Sequence, residues 1–163
     1  MHSSKSFRRL FAFAVMLVAM AAAAPSQPVQ AKRVNMSQTA RVARDVFWEV
    51  NRRRAAAGKP ELEIDETLNA IAVEHSSRMA THKVAFGHSG FDNRFKLVKK
   101  QWGPARSFAE NVAKDPTGVA TVDMWWASAG HKKNILGDYT HTGIGVVRGN
   151  DGNYYFTQVF VKK

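Results

Sequence analysis

Three polar residues, His88, Glu110 and His131, are the first candidates for chemistry in this chain. Each histidine follows a glycine at the expected edge of a helix or loop, where the backbone can bring the ring to a cleft. Glu110 is a lone carboxylate in the apolar stretch "FAENVA", which we expect to be half-buried. A buried carboxylate requires a partner, because an unpaired charge is costly away from water. The available partners are Arg94, an imidazolium or a metal ion.

Two histidines and one glutamate form a ligand set that suits a divalent metal with an open water position, and zinc is the preferred ion. On this hypothesis His88 and His131 hold the ion, and Glu110 either binds it or acts as general base on its water. The absence of cysteine excludes a thiol nucleophile and a cysteine-type zinc site. No G-x-S-x-G, P-loop, G-x-G-x-x-G or H-E-x-x-H motif is present. The residues alone leave it open whether the chain is an enzyme.

Two amphipathic helices are predicted before these residues. Ser37 is a plausible N-cap for the first, and Gly58 followed by Pro60 ends it. Asp65 caps the second helix. One face of that helix carries Leu68, Ile71, Ala72, His75 and Met79. The apolar surroundings of His75 favour a core histidine over a ligand.

After the second helix, the sequence predicts strands as well as helices. We predict a short helix at 92–100, a strand or its entrance at 107–113, and a third long helix at about 117–128. Ala129-Gly130 is expected to break that helix, which places His131 just past its C-terminus; the tryptophans before it either pack in the core or build one wall of a site. Two β-rich runs flank Asn150-Asp151-Gly152-Asn153, which indicates an antiparallel hairpin. Helices first and a hairpin last predict an α+β fold.

The N-terminal segment has the pattern of a secretory signal. Lys5, Arg8 and Arg9 precede an apolar run of fifteen residues from Leu10 to Ala24, shorter than the ~20 residues of a typical membrane span. Small residues follow, and we expect cleavage after Ala31; an uncleaved membrane anchor is the alternative. The predicted organisation is a signal peptide at 1–31, a leader and start of the first helix at 32–43, and one domain at 44–163.

The chain is strongly basic. Its formal net charge is +11, and removal of residues 1–31 takes away three cations and no acid, which leaves +8. Basic surfaces attract anionic polymers. With a secretion signal, we expect an anionic cell-envelope polymer or a membrane surface as partner rather than nucleic acid. A merely solvated basic surface is the alternative.

The stretch from Val46 to Phe160 resembles the CAP superfamily (cysteine-rich secretory proteins, antigen 5, pathogenesis-related 1), also called the SCP domain, and in particular its cysteine-free bacterial branch. The segments that carry the resemblance occur in the family's order: "VNRRRAAAGKPELEIDETLNAIAVEHSSRMA", "GHSG", "AENVA", "WWASAGHKKNIL", "GIGVV" and "YYFTQVF". Membership implies a three-layer α–β–α sandwich with a small antiparallel sheet. It also implies an open cavity lined by histidines and acids, which holds zinc or another divalent ion in some members.

The resemblance also assigns positions in that cavity. His88 matches the first cavity histidine, and Glu110 matches the acid of the "GEN" motif, which is "AEN" here. His131 matches the histidine of the bacterial "S-x-G-H" motif, which begins at Ser128.

This chain departs from the plant and animal pattern at two of the four cavity positions. Tyr155 stands where the family has a histidine, and Ala129 stands where it has a second acid. His88 and Glu110 keep two of the four positions, and with His131 of the bacterial motif the cavity has at most three such residues, which argues against tight metal binding. Tyr155 can still contribute a hydroxyl, and Arg94 can pair with Glu110.

Three functions are consistent with these residues and with the resemblance. The first is a secreted or periplasmic, monomeric binding or effector module whose ligand is a cell-envelope polymer, a lipid or a protein. The second is a divalent-metal-dependent hydrolase of peptide or cell-wall bonds, with Glu110 and His131 as catalytic residues and His88, His131 and Glu110 as metal ligands. The third is a structural domain whose polar cluster only holds the fold.

Overall fold

The structure is a computed structural model of the 163-residue chain, and it describes residues 36–118 and 120–163. The predicted signal peptide and its cleavage point lie outside the described residues. The helices are α1 (Gln38–Ala56), α2 (Glu66–Ala80), α3 (Phe91–Gln101), α4 (Thr121–Ala127) and α5 (Ala129–Ile135). The strands are β1 (Glu63–Ile64), β2 (Ser107–Asp115), β3 (His141–Arg148) and β4 (Tyr154–Lys162). None of the helices in the described ranges is long and apolar enough to cross a bilayer.

The four strands form one sheet in the order β1-β3-β4-β2. The predicted hairpin is confirmed, because β3 and β4 pair antiparallel across the 149–153 turn. Strand β2 pairs antiparallel with the other edge of β4, and the two-residue β1 pairs parallel with β3. Strand β4 is central and is buried along nearly its whole length.

Helices cover both faces of the sheet. On one face, α1, α4 and α5 pack against Phe156 and Phe160 of β4. On the other, α2 and α3 pack against Val159 and Val161 of the same strand. The predicted α+β class and its three-layer sandwich are confirmed, because alternate residues of a strand point to opposite faces and β4 is apolar on both.

Local signals place the first two helices as predicted. The Ser37 hydroxyl accepts a hydrogen bond from the Ala40 amide at the start of α1, and the Asp65 carboxylate accepts one from the Leu68 amide at the start of α2. These caps satisfy N–H groups that have no partner within the helix.

The predicted third helix is wrong in its extent. The Asp115 carboxylate accepts hydrogen bonds from the backbone amides of Thr117 and Ala120, so the chain turns before α4 begins at Thr121. The break falls at Ser128, whose backbone is extended with ψ 121°. The Lys132 amide then donates to the Ser128 carbonyl, which starts α5. His131 is consequently in the first turn of a new helix and not beyond the end of the old one.

One buried arginine joins α1 to the segment that follows α5. Arg54 is 1% exposed. Its guanidinium donates to four backbone carbonyls, those of Pro60, Ile135, Gly137 and Tyr139. Burial lowers its pKa. Because α5 has only seven residues and isolated short helices are marginal, such contacts hold it in place.

Candidate functional site

A wide cleft of about 690 Å³ lies between the loop before α3, strand β2 and helix α5. It is lined by His88, Glu110, Ser128 and His131. Four of the residues that the sequence singled out therefore share one cleft, although up to 43 positions separate them along the chain.

Glu110 lies at the base of the cleft with its side chain fully buried. Arg94 of α3 binds it in a two-pronged arrangement: Nε lies 2.6 Å from Oε2 and Nη2 lies 2.6 Å from Oε1. His88 Nδ1 lies 2.9 Å from Oε1 and donates to it, because an ionised carboxylate only accepts. Both carboxylate oxygens are therefore engaged by partners within the chain.

His75, predicted as a core histidine, supports this ion pair from behind. Its ring is 2% exposed. Nε2 lies 2.8 Å from the Gly87 carbonyl and Nδ1 lies 3.1 Å from Arg94 Nη1. The arginine can only donate, so Nδ1 accepts and Nε2 carries the proton. Burial lowers the pKa of His75, and the nearby positive charge of Arg94 lowers it further. We therefore treat its 4.0 Å approach to Glu110 as a contact of a neutral ring and not as an ion pair.

His131 reaches the cleft from α5 with a half-buried ring. Burial lowers its pKa, and the nearby His88 lowers it further. Within residues 36–118 and 120–163, the ring forms no hydrogen bond or ion pair. Its nitrogens therefore remain available to a ligand.

Two asparagines, which were not predicted from the sequence, fix α5 on β2. Asn111 Nδ2 lies 3.2 Å from the His131 carbonyl. Asn134 Nδ2 lies 2.9 Å from Asn111 Oδ1 and 3.2 Å from the Glu110 carbonyl. A signal for Asn111 was present: it is a polar residue next to Glu110 in a buried strand, where a buried amide requires partners.

Of the two remaining predicted residues, Ser128 lies in the cleft and Tyr155 does not. Ser128 lines the cleft, and its hydroxyl has no hydrogen-bond partner within the described residues. Tyr155 does not line it, which corrects the prediction of a cleft hydroxyl. In the β2–β4 register Tyr155 is opposite Lys114, while Glu110 is opposite Val159. Four residues along a strand amount to about 13 Å. The Tyr155 hydroxyl instead donates to Asp151 in the hairpin turn.

These residues do not fit zinc as the predicted three-ligand set. Both oxygens of Glu110 are held by Arg94 and His88, and a metal bound there would face the guanidinium cation. Among the residues that the structure describes, no group of three or more histidine, cysteine, aspartate or glutamate side chains is arranged to hold a metal ion.

The remaining walls combine aromatic rings with a cation. Phe91 and Phe108 line the cleft with ring centroids 5.0 Å apart, and Tyr139 adds a third ring. Lys133 is exposed at the rim and forms no ion pair in the part of the chain that the structure describes. The cleft thus offers hydrogen-bond donors, a positive charge and apolar surface, a combination that suits an anionic or acceptor-rich group attached to an apolar body or a sugar ring.

Sequence comparison gives one family and two curated relatives. A family model described as "CAP: Cysteine-rich secretory protein family" matches residues 48–160. The uncharacterized membrane protein YlbC of Bacillus subtilis (strain 168) is 35% identical over 63% of this chain and 34% of its own length. The uncharacterized protein YkwD of the same strain is 34% identical over 69% of this chain and 44% of its own. This chain thus spans less than half of each relative.

Solved structures with the same architecture come from several bacteria. An extracellular protein with an SCP domain from Bacillus anthracis str. Ames matches with TM-score 0.65 and 26% identity, over 75% of this chain and 40% of that one. An outer surface protein of Borrelia burgdorferi matches with TM-score 0.66 and 20% identity, over 78% of this chain and 96% of that one. At 20% identity, the second match supports the fold alone.

Proposed function

The chain belongs to the cysteine-rich secretory protein (CAP) family, and from this premise we propose that it acts outside the cytoplasm as a binding module, with the cleft at Glu110 and His131 as the place where a cell-envelope component binds. The extracellular SCP-domain protein of Bacillus anthracis and the signal-like N-terminal segment of this chain support the location.

One observation carries the proposal: the carboxylate at the base of the cleft is already paired. Arg94 and His88 together occupy both oxygens of Glu110. The groups left for a ligand are the Ser128 hydroxyl, the His131 ring and the Lys133 ammonium. Donors and a cation recognise acceptor-rich or anionic groups, and Phe91 and Phe108 supply an apolar wall beside them.

The same observation weighs against the hydrolase. A general base must reach the water or hydroxyl that it deprotonates, and Glu110 is held by a guanidinium in two-pronged contact. Activating a water at Glu110 would require breaking a buried ion pair, which typically costs 3–5 kcal/mol. The geometry therefore favours binding without turnover.

Co-sedimentation with purified Bacillus subtilis cell walls tests the proposal. We expect wild type to bind with and without EDTA. We expect S128A/H131A to bind about 30-fold more weakly, because two hydrogen bonds of about 1 kcal/mol each are lost. The matched control is S77A/H82A, which alters the same residue types near the end of α2, away from the cleft. Both variants should unfold at the wild-type temperature within about 2 °C.

Two results would overturn the proposal. Release of wall fragments that EDTA and His131→Ala both abolish would establish the hydrolase instead. Equal binding by wild type, S128A/H131A and the control would show that the cleft is not the binding site.

A further inference from the structure

The positive charge of the domain is concentrated in two short segments. The described residues contain 19 lysines and arginines against 13 aspartates and glutamates, an excess of six. Residues 91–106 contain five of these cations and one acid, and residues 162–163 add two more cations. These two segments account for the whole excess, and the other described residues are balanced. The excess of basic residues is therefore concentrated in these two segments of the sequence.

The fold brings these cations together. Lys96, Lys99 and Lys100 are spaced i, i+3 and i+4 and share the exposed side of α3, while its opposite side buries Arg94 and Val98. The C-terminal strand reaches the same end of the molecule. The Arg106 amide donates to the Lys162 carbonyl at 2.9 Å, and Lys163 Nζ lies 5.3 Å from the ring centroid of Trp102, the C-cap of α3. We call Lys96, Lys99, Lys100, Arg106 and Lys163 the basic α3 face.

The basic α3 face lacks acidic partners among the described residues, where none of its five cations forms an ion pair. Several cations elsewhere are paired, as in the contacts of Arg52 and Arg53 with Glu49. Like charges three or four positions apart on a helix destabilise it. A cluster of unpaired cations that persists despite this repulsion favours an anionic partner, which would relieve it.

Aromatic rings connect this face to the cleft. Lys99 Nζ lies 4.4 Å from the ring centroid of Phe95. Phe95 stacks on Phe108 with centroids 5.2 Å apart and an interplanar angle of 8°, and Phe108 lines the cleft. One cation and two stacked rings thus lead from α3 to the cleft that Glu110 and His131 also line.

We propose that the basic α3 face is a second binding surface, which takes a linear anionic polymer along α3 and leads it towards the cleft. The repeating charge of the polymer, phosphodiester or carboxylate, is what the lysines recognise, as point charges do. That the polymer belongs to the cell envelope rests on the function proposed above. The surface itself rests only on the positions of the cations and rings.

Binding of the full chain to inorganic polyphosphate and to polygalacturonate, measured by calorimetry at about 0.15 M salt, tests the inference. We expect K96Q/K100Q to bind at least about tenfold more weakly, with the slope of log K against log salt reduced by about one per lysine. The control K59Q/K83Q removes the same charge from exposed positions elsewhere and should bind like wild type. The polymer that binds more tightly identifies the phosphate or carboxylate class, and dextran should not bind.

The outcomes separate this inference from the cleft proposal. Retention of polymer binding by S128A/H131A, together with its loss in K96Q/K100Q, supports a second surface even if the cleft fails its own test. Equal loss in K96Q/K100Q and K59Q/K83Q would overturn the inference, because diffuse net charge would then explain binding. Tighter binding of single-stranded DNA than of both polymers would overturn the proposed partner class.

Discussion

Arg94 is the residue around which the site is built. It donates to both oxygens of Glu110, to the His75 ring and to the Ser89 carbonyl at 2.7 Å. A buried ion pair adds little net stability relative to apolar residues of similar volume, but removing one partner leaves an uncompensated charge. The main role of the pair is therefore to hold His88 and the base of the cleft in one geometry.

Replacing Arg94 tests that description. We expect Arg94→Gln to lower the free energy of unfolding by about 3–5 kcal/mol, because Glu110 would stay buried without its cation. Urea denaturation provides the measurement. Arg52→Gln removes an exposed ion pair with Glu49 and should leave the free energy of unfolding nearly unchanged, because solvent screens exposed pairs. If the two variants lose similar stability, the buried pair does not have the role assigned to it.

Two histidines, His75 and His131, predict a loss of stability in mild acid. Burial lowers the pKa of His75 and of His131 below the ordinary 6.5. In the unfolded chain these rings take up protons as the pH falls through about 6.5, while in the folded protein they resist protonation. The unfolded state therefore binds more protons in this range, and the free energy of unfolding falls as the pH falls from 7 towards 5.

Denaturation curves at pH 7, 6 and 5 provide the check. His75→Gln should flatten the pH dependence, and His82→Gln, which changes an exposed ring, should not. Carboxylates contribute only at lower pH; Glu49, for example, is held to a pKa of about 2 chiefly by its hydrogen bond with Arg52. An NMR titration midpoint above 6.5 for either buried ring would contradict the explanation.

Among the elements, the packing of α2 on β3 leaves the least space for added side-chain atoms. Gly143 and Gly145 lie beneath α2, and a Cβ at either position would overlap helix backbone, that of Leu68 or of Ala72. A backbone cannot move aside as the end of a side chain can. These glycines allow the helix and strand to approach closely, and this approach lets the Ser76 hydroxyl bond the Gly145 carbonyl at 3.0 Å.

A matched pair of glycine variants tests this approach. Gly145→Ala should cost at least about 3 kcal/mol or prevent folding, since overpacking forces the backbone apart. Gly130→Ala, in α5 with open space around it, should be neutral or stabilise by up to about 1 kcal/mol, because alanine is the better helix former. Thermal unfolding measured by circular dichroism compares them. Equal tolerance of both changes would show that α2 can shift on the sheet.

The whole molecule folds without any disulfide, since the chain contains no cysteine. Its stability must come from the two cores on either side of the sheet and from buried polar ties such as Arg54. One core per face is sufficient for a chain of this size, which buries about two thirds of its unfolded surface.

The location of the mature protein is open to a direct test. We expect the chain expressed in Bacillus subtilis to appear in the medium or envelope fraction with Lys32 as its N-terminal residue. Intact-mass analysis and N-terminal sequencing would establish this. A control with Ala31→Asp should accumulate uncleaved, because the cleavage site requires a small residue. Full-length wild type retained in the membrane fraction would support the uncleaved anchor instead.

The sequence by itself determined the first two helices, the hairpin and the family. The caps at Ser37 and Asp65 and the buried face of α2 depend on residues within four positions of one another. The strands of the hairpin have residues that alternate between two faces. Such short-range patterns can be recognised in the sequence. The motifs from "GHSG" to "YYFTQVF", taken in their order, indicated the family. The sequence also named Arg94 as one possible partner of Glu110.

Only the tertiary structure decided which side chains of the site contact one another. It paired Arg94 with both oxygens of Glu110, joined His75 to the network, placed His131 in the first turn of α5 and placed Tyr155 outside the cleft. The contacts of Arg94 with Glu110 and with His75 join residues at least twelve positions apart. The position of Tyr155 depends on strand register, whereas the position of His131 follows from the break at Ser128. Local periodicity says which face a residue occupies, but only the packing of one element against another sets the distance between two side chains.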